Sequence, residues 1–523
     1  MKVAVAQLNY TIGAFDANKM KIVEAIEKAK KAGAEVAVFA EYAISGAPAY
    51  DLLNKVQFLE MCEEALIEIA AFCDNITVVI GLPIQHSQQT LSAAAIIQNR
   101  QVVSFVTKRD LNQRDEAPYL ASGDGCDYFF IGGHKVAVVL GKDALNTNYV
   151  RATDTVIFLD ADRWRRRRIE RRYAYMAERG FITERNLVYV NQLGGHTDTI
   201  FDGSSAVFNH KGEAIALLDS FKEDFVVVDL DADNKPIEIP YQDKTVNTMS
   251  AIKLGLKDFF EKNGFKSACL GLSGGIDSAV VAAIAADVLG PENVRVLLMP
   301  SQFSSDHSVD DSVEMAKNLG LKYDIVPITD AYRVVTEAMA PVLGESSEVG
   351  VTEENIQSRL RCVMLMALSN KYGDVLLNTT NKSELALGYS TLYGDSAGVL
   401  SILGDVYKRD VYALANLINR EREIIPQSII DKEPSAELRP DQKDTDYMPP
   451  YDIVDAIIYR MLEEGQSREE IINAGFDSEV VYKIYGNILR NVQKRHQFCP
   501  VLRISYCTFG KDRVMPLTSK YGF

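Results

Sequence analysis

The sequence predicts an α/β protein of two domains, the second of them a doubly wound parallel sheet. Three observations carry this expectation. The chain has 523 residues, too many for a single hydrophobic core. Short apolar runs alternate with amphipathic segments from end to end, as they do where strands and helices alternate. Residues 231–243, rich in Asp and Pro and without periodicity, split that alternation and read as a linker between a first domain at 1–230 and a second at 244–523.

Taken in order, residues 3–8 read as a strand. Residues 18–33 read as a helix with Ile22, Ala25, Ile26 and Ala29 on one face. Further strands are expected at 36–39, 77–81, 93–98, 136–141, 155–158 and 186–191. Residues 201–210 and 213–218 read as a hairpin around Asn209-His-Lys-Gly. In the second domain strands are expected at 268–272, 294–299, 323–328 and 374–378. Helices are expected at 308–319, 353–371 and 409–420, with more helical segments after Pro449. A doubly wound sheet binds its ligand at the carboxyl ends of its strands.

Composition narrows the function. Hydrophobic residues make up 47% and charged residues 24% of the chain, as in ordinary globular proteins. The net charge of −16 argues against a nucleic-acid binder of the basic kind. Seven cysteines without close pairs read as reduced thiols, and so as a cytoplasmic protein. The N-terminus reads as a strand rather than a leader, and no apolar run is long enough to span a membrane.

The chemistry starts at Gly271, Leu272, Ser273, Gly274, Gly275, Ile276, Asp277 and Ser278. This octet lies between a strand-like and a helix-like run. Such a turn aims backbone N–H groups and the positive helix end at one spot, the requirement for a pyrophosphate cradle. Glycines at 274 and 275 permit close approach of an anion. Ser273 and Ser278 can donate hydroxyl hydrogen bonds. Asp277 would repel phosphates unless a magnesium ion lay between them. No Gly-Lys-Ser/Thr ending follows, so this is not a Walker A loop. Other segments should return to the same crevice. Met299-Pro-Ser could meet a base or ribose. Asn355 and Arg359 share a helix face, with Gln357 and Arg361 on the same helix. Thr379 and Lys382 can bind anionic oxygens, Glu384 adds a second carboxylate, and Lys408 offers a point charge for a terminal phosphate.

These residues carry a resemblance. The 273–278 loop resembles that of the N-type ATP pyrophosphatases. The runs Glu354-Asn-Ile-Gln-Ser-Arg-Leu-Arg, Asn381-Lys-Ser-Glu-Leu-Ala-Leu-Gly-Tyr and Pro434-Ser-Ala-Glu-Leu-Arg-Pro-Asp-Gln, with Lys494-Arg, are similar to NAD synthetase over nearly all of 245–523. Thr380 departs from the family's usual Gly. The resemblance implies an adenine nucleotide alpha-hydrolase-like fold. It also implies a reaction in which ATP adenylates the nicotinate carboxylate of deamido-NAD and ammonia displaces AMP. By family position, Gly271–Ser278, Thr379 and Lys408 would hold ATP, and Asp277 and Glu384 magnesium. Asn355, Glu384, Asp395 and Lys494 would sit near deamido-NAD. A homo-oligomer is implied as well.

Residues 1–230 resemble the nitrilase-type amidase domain, an αββα sandwich, that is fused to this synthetase in glutamine-using members. The resemblance rests on Val3-Ala-Val-Ala-Gln-Leu-Asn, Phe39-Ala-Glu-Tyr, Val106-Thr-Lys-Arg-Asp-Leu, Val188-Tyr-Val-Asn-Gln-Leu-Gly-Gly and Phe201-Asp-Gly-Ser-Ser. It places a base at Glu41 and a lysine at Lys108. Where the family has its cysteine, this chain has Gly141, and Lys142 replaces an acidic neighbour. Glycine cannot form a thioester. Cys126 lies fifteen positions earlier, before a different strand, and is not expected to substitute. The remaining cysteines read as small core residues. Arg163-Trp-Arg-Arg-Arg-Arg-Ile-Glu-Arg-Arg replaces a segment that shapes the glutamine pocket, and reads as a solvated helix face paired with acids elsewhere. The expectation is an NAD synthetase that takes free ammonia and keeps an inactive amidase domain. A glutamine-hydrolysing synthetase is the alternative. A tRNA-thiolating or GMP-forming pyrophosphatase and a non-enzymatic assembly protein are the other classes.

Overall fold

The computed structural model describes all residues except 126–127, 132, 146–152, 345–349, 441, 447 and 521–523. The chain divides into two compact units, Met1–Lys244 and Thr245–Phe523.

The first unit begins with β1 (Lys2–Gln7), α1 (Phe15–Lys31), β2 (Val36–Phe39), α2 (Val56–Ala70), β3 (Thr77–His86), β4 (Gln89–Gln98) and β5 (Gln101–Thr107). It continues with β6 (Tyr128–Ile131), β7 (His134–Leu140), β8 (Thr155–Asp160), α3 (Arg168–Thr183) and β9 (Asn186–Asn191). It closes with β10 (Leu193–His196), β11 (Thr199–Asp202), β12 (Ala206–Phe208), β13 (Ala214–Leu217) and β14 (Asp224–Asp229). Two six-stranded sheets form, ordered β14-β1-β2-β3-β4-β5 and β13-β12-β9-β8-β7-β6. Val3, Val5 and Val38 of one sheet share a core with Val138, Leu140 and Ile157 of the other, and Ile22 and Ile26 of α1 join it. This is the αββα sandwich. Its central strands are apolar on both faces because each is covered twice.

The structure adjusts several boundaries. The expected strand at 201–210 is broken, because Gly203 and Ser204 take left-handed φ values of 66° and 51°. Only β12 and β13 pair around Asn209–Gly212. β5 and β6 are edge strands that the sequence reading omits. Their Val103, Phe105, Tyr128 and Phe130 are exposed, so neither shows a clean buried face. In the segment 231–243, the Ile237 amide bonds the Ala214 carbonyl at 2.7 Å.

The second unit runs α4 (Lys244–Asn263), β15 (Ala268–Gly271), α5 (Ile276–Leu289), β16 (Val294–Leu298), α6 (Asp306–Leu319), β17 (Lys322–Ile325), α7 (Thr329–Leu343) and α8 (Val351–Tyr372). It then runs β18 (Val375–Asn378), α9 (Lys382–Leu387), β19 (Leu400–Ser401), α10 (Lys408–Ile418), α11 (Gln427–Asp431) and α12 (Tyr451–Leu462). It ends with α13 (Arg468–Asn473), α14 (Ser478–Arg490) and α15 (Val492–His496). The sheet is parallel, ordered β17-β16-β15-β18-β19. The order reverses at β15, whose neighbours are β16 and β18. A crevice therefore opens at the carboxyl ends of β15 and β18. α5 is buried from Ala279 to Ala286, as its apolar sequence requires. α6 starts two residues before the expected 308, because the Ser305 hydroxyl caps it by accepting from the Ser308 amide. Among the described residues, no helix is long and apolar enough to cross a membrane.

Candidate functional site

In the second unit a cavity of about 300 Å³ sits over the switch point. Its wall includes Gly271, Leu272, Ser273, Gly274, Gly275, Ile276, Asp277, Ser278, Thr379, Glu384, Asp395 and Lys408. Twelve sequence-predicted residues thus meet in one cleft. The loop after β15 is shaped by sterics. Gly274 has φ +75°, and a Cβ there would lie 2.6 Å from the Ser308 carbonyl oxygen. Only glycine fits this contact between the loop and the start of α6. The two serines differ from the expectation. Ser278 is buried, and its hydroxyl donates to the Gly275 carbonyl at 2.9 Å and lies 3.1 Å from the Ser273 hydroxyl. The hydroxyls brace the loop from within, Ser278 accepting from the Ser273 amide at 3.2 Å and Ser273 from the Gly275 amide at 3.3 Å.

Asp277, in the first turn of α5, accepts from Asn381 Nδ2 at 2.9 Å and from the Lys408 ammonium. Glu384 closes the capping box of α9 with Asn381, and its Oε1 lies 3.5 Å from Lys408 Nζ. Burial and then the charge of Asp277 lift the Glu384 carboxyl to about 8, against the pull of Lys408. Lys408 is buried, not the surface lysine its place at a helix start would suggest. Burial opposes its charge, but Asp277 and Glu384 outweigh that and hold its pKa above the lysine range. Asp444 completes the group, accepting from Tyr389 at 3.2 Å and Tyr451 at 2.9 Å. Two carboxylates at a cleft rim suit magnesium, which keeps waters and phosphate oxygens and needs no closed protein cage. Among the described residues, no cluster of three His, Cys, Asp or Glu forms such a cage.

Lys382 corrects a sequence expectation. It is fully buried, 2.9 Å from Asp405 and 2.7 Å from Glu463, and donates to the Ser505 hydroxyl at 2.6 Å. It ties α9 to the tail and does not reach a ligand. Asp405 is also held by the Ile504 and Ser505 amides and the Thr508 hydroxyl. Asn355 and Lys494 stand behind the wall. Asn355 accepts from Thr391 at 2.7 Å, and Lys494 donates to the carbonyls of Gly388 and Ser390, both at 2.7 Å. Asp395, its pKa raised by burial, takes the Thr391 amide and the Ser358 hydroxyl. Thr380 donates its amide to Asn378 Oδ1 at 2.9 Å. The sequence reading missed Ser308, Lys432, Glu437 and Asp444 on the wall. Glu437 and Lys432 pair at 2.6 Å. Their only signal is their place in and beside the 434–442 run. Arg361 donates to the Met299 carbonyl at 3.1 Å, and burial pulls its pKa down to about 10.

The first unit brings Glu41, Lys108 and Gly141 together. Each lies just past a strand end: β2, β5 and β7. Glu41 is fully buried and accepts from Ser92 at 2.6 Å and Lys108 at 3.0 Å. Lys108 also reaches Glu116 at 2.6 Å. Burial raises the Glu41 pKa, with Lys108 opposing and Glu116 assisting. Gly141 has φ +49°, and a Cβ there would lie 2.4 Å from Lys108 Nζ and 3.5 Å from Glu41 Oε2. The amine fills the space that a side chain at 141 would enter. Lys142 is exposed, while Asp143 is buried and accepts the Arg109 and Asp110 amides at 2.9 and 2.7 Å. The described cysteines are free thiols, with Cys62, Cys73 and Cys269 buried. Cys126 lies outside the described residues.

The arginine stretch is only partly a solvated face: Arg167 and Arg171 are exposed, and the expected pairing with acids is present, but part of the stretch is buried. Arg163 and Arg172 are buried. Arg172 grips Asp202 with two bonds, of 2.8 and 3.0 Å, and reaches Asp162 at 2.9 Å. Arg168 also holds Asp162, at 2.5 Å. Asp160 lies nearby, its carboxyl lifted to about 7 by burial and by the charges of Asp162 and Glu41.

Comparison with known proteins fits this geometry. A carbon-nitrogen hydrolase family model matches residues 2–235, and an NAD synthase model matches residues 248–498. The chain is 38% identical to the glutamine-dependent NAD(+) synthetase of Synechocystis sp., covering 99% of both chains. It is 37% identical to the enzyme of that name from Acinetobacter baylyi, covering 99% of this chain and 98% of the relative. Among solved structures, the glutamine-dependent NAD+ synthetase of Acinetobacter baumannii in complex with ADP superposes with a TM-score of 0.79 at 35% identity, over 98% of each chain. The glutamine-dependent NAD(+) synthetase of Cytophaga hutchinsonii shares the fold, with a TM-score of 0.87 at 20% identity, over 100% of this chain and 98% of that one. With both domain models in the same order, and relatives this similar along their whole length, the chain belongs to the family of two-domain glutamine-dependent NAD(+) synthetases.

Proposed function

We propose that the chain makes NAD from deamido-NAD and ATP by way of an acyl-adenylate. The observation that supports this best is the single cavity shared by the 271–278 loop, Asp277, Glu384, Thr379 and Lys408. A carboxylate is a poor electrophile. Attack of its oxygen on the α-phosphorus of ATP expels pyrophosphate and leaves a mixed anhydride. Ammonia then attacks the acyl carbon, AMP leaves with the bonding electron pair, and the extra proton passes to solvent. The loop's backbone N–H groups and the N-terminus of α5 would hold the leaving phosphates. Lys408 would add a point charge beside them. Asn355, Glu384, Asp395 and Lys494 would position deamido-NAD, Asn355 and Lys494 through the loop 388–392 that they brace. Asp277 and Glu384 would hold magnesium, which when bound neutralises phosphate charge. Asp277→Asn should cut pyrophosphate release at least about 100-fold with an unchanged circular dichroism spectrum. Unchanged release would remove the magnesium assignment.

Two readings of the nitrogen source stand. The names of the relatives favour glutamine, hydrolysed in the first unit. Gly141 favours free ammonia, since Glu41 and Lys108 have no side chain at 141 to activate. One NAD-forming assay, run with ammonium or with glutamine in ammonia-free buffer, separates them. We expect turnover with ammonium only, and turnover with glutamine would establish the other reading. α7 has no buried residue and exposes Val334, Val342 and Leu343, which supports a homo-oligomer.

A further inference from the structure

The cleft contains a cation already. The Lys408 ammonium bonds Asp277 and lies 3.5 Å from Glu384 Oε1, the two carboxylates assigned above to magnesium. It is also 5.2 Å from the Tyr451 ring centroid, and that tyrosine's hydroxyl donates to Asp444. Asn381 pins the other oxygen of Asp277, so the carboxylate cannot turn away. We propose that Lys408 is the resident counter-ion of Asp277 and Glu384, and that it exchanges places with the divalent cation: the cation takes the carboxylates only as a phosphate takes the ammonium.

The proposal rests on the magnesium reading and adds an order to it. A buried lysine cannot share two carboxylates with a second cation a few ångströms away without strong repulsion. It cannot withdraw into the protein either, because an unpaired buried ammonium is costly. A phosphate oxygen gives it somewhere to go. The metal alone should therefore bind poorly, and the cleft should reject a bare divalent ion while accepting a nucleotide-bound one. Lys408 is then a positioning residue for the metal as well as a phosphate contact.

The test uses the full chain and Mn²⁺ alone, with free Mn²⁺ followed by electron paramagnetic resonance. Wild type, Lys408→Met, Lys408→Gln, Asp277→Asn and the double variant Lys408→Met/Asp277→Asn are compared, each with a melting curve to establish folding. The expected result is Mn²⁺ binding at least about tenfold tighter in both single Lys408 variants than in wild type. The gain should be lost in the double variant. Equal or weaker binding in the Lys408 variants overturns the exchange. So does a gain that survives Asp277→Asn, since it would then arise elsewhere. If neither Lys408 nor Asp277 substitutions alter Mn²⁺ binding or the Mn²⁺-induced rise in melting temperature, the magnesium assignment itself fails. If only Asp277→Asn weakens binding, the assignment stands and the exchange falls.

Discussion

Gly141 and Asp160 show how single residues set the state of the first unit. At Gly141 the left-handed φ and the Lys108 amine both oppose a side chain. Gly141→Ala should destabilise the protein by about 1–3 kcal/mol, read as a lower urea midpoint at an unchanged slope. Gly141→Cys should suffer the same cost and gain no glutaminase activity. Lys108 would still be held by Glu41 and Glu116, and Lys142 would remain. Asp160 gives a pH signature. Its carboxyl titrates near 7 in the fold and near 3.9 when unfolded. The native state therefore binds more protons between those values, and stability falls as pH rises from about 4 to 7. Asp160→Asn removes that loss. It should raise the first unit's melting temperature at pH 8 by about 8 °C or more and give no rise at pH 4. An equal shift at both values would assign the effect to packing instead.

At the scale of the element, α3 carries a buried arginine that ties it to the strands. Arg172 neutralises Asp202 and shares Asp162 with Arg168. Arg172→Met keeps the length of the side chain but strands Asp202 in the core. A loss of about 3–5 kcal/mol is expected, and a loss below about 1 kcal/mol would mean that water already reaches the pair. This element also shows where sequence reading stops. The arginines were visible as charge and Asp162 stands beside them, but the Asp202 that Arg172 grips lies thirty residues away, and no local pattern reports burial. Lys382 failed in the same way. It follows a strand and opens a helix, as a phosphate ligand does, yet its partners Asp405 and Glu463 come from distant segments. The 271–278 loop was legible because its constraint is local: the glycine that a left-handed turn demands is written at the turn. Glu41, Lys108 and Gly141 were legible as a set only through family resemblance, since they follow three separate strands.

At the scale of the whole molecule, the parallel sheet and a cleft at the carboxyl ends of its strands followed from the alternation of apolar runs, whereas the order of the strands did not, since local patterns do not report which strands pair. Glu437, Lys432 and Asp444 did not, because they reach the cavity from a long segment without strands. α7 predicts assembly. Light scattering should give a mass above that of one chain, and a monomer at micromolar concentration would leave the exposed Val334, Val342 and Leu343 unexplained. The tail has a different consequence. Lys494 and Arg495 hold the carbonyls at the end of α9, and residues 504–508 hold Asp405 and Lys382. The cleft therefore cannot take its final shape before residues 494–508 have left the ribosome. A nascent polypeptide can complete its first unit early, but a nucleotide pocket exists only once residues 494–508 have been made and have folded back.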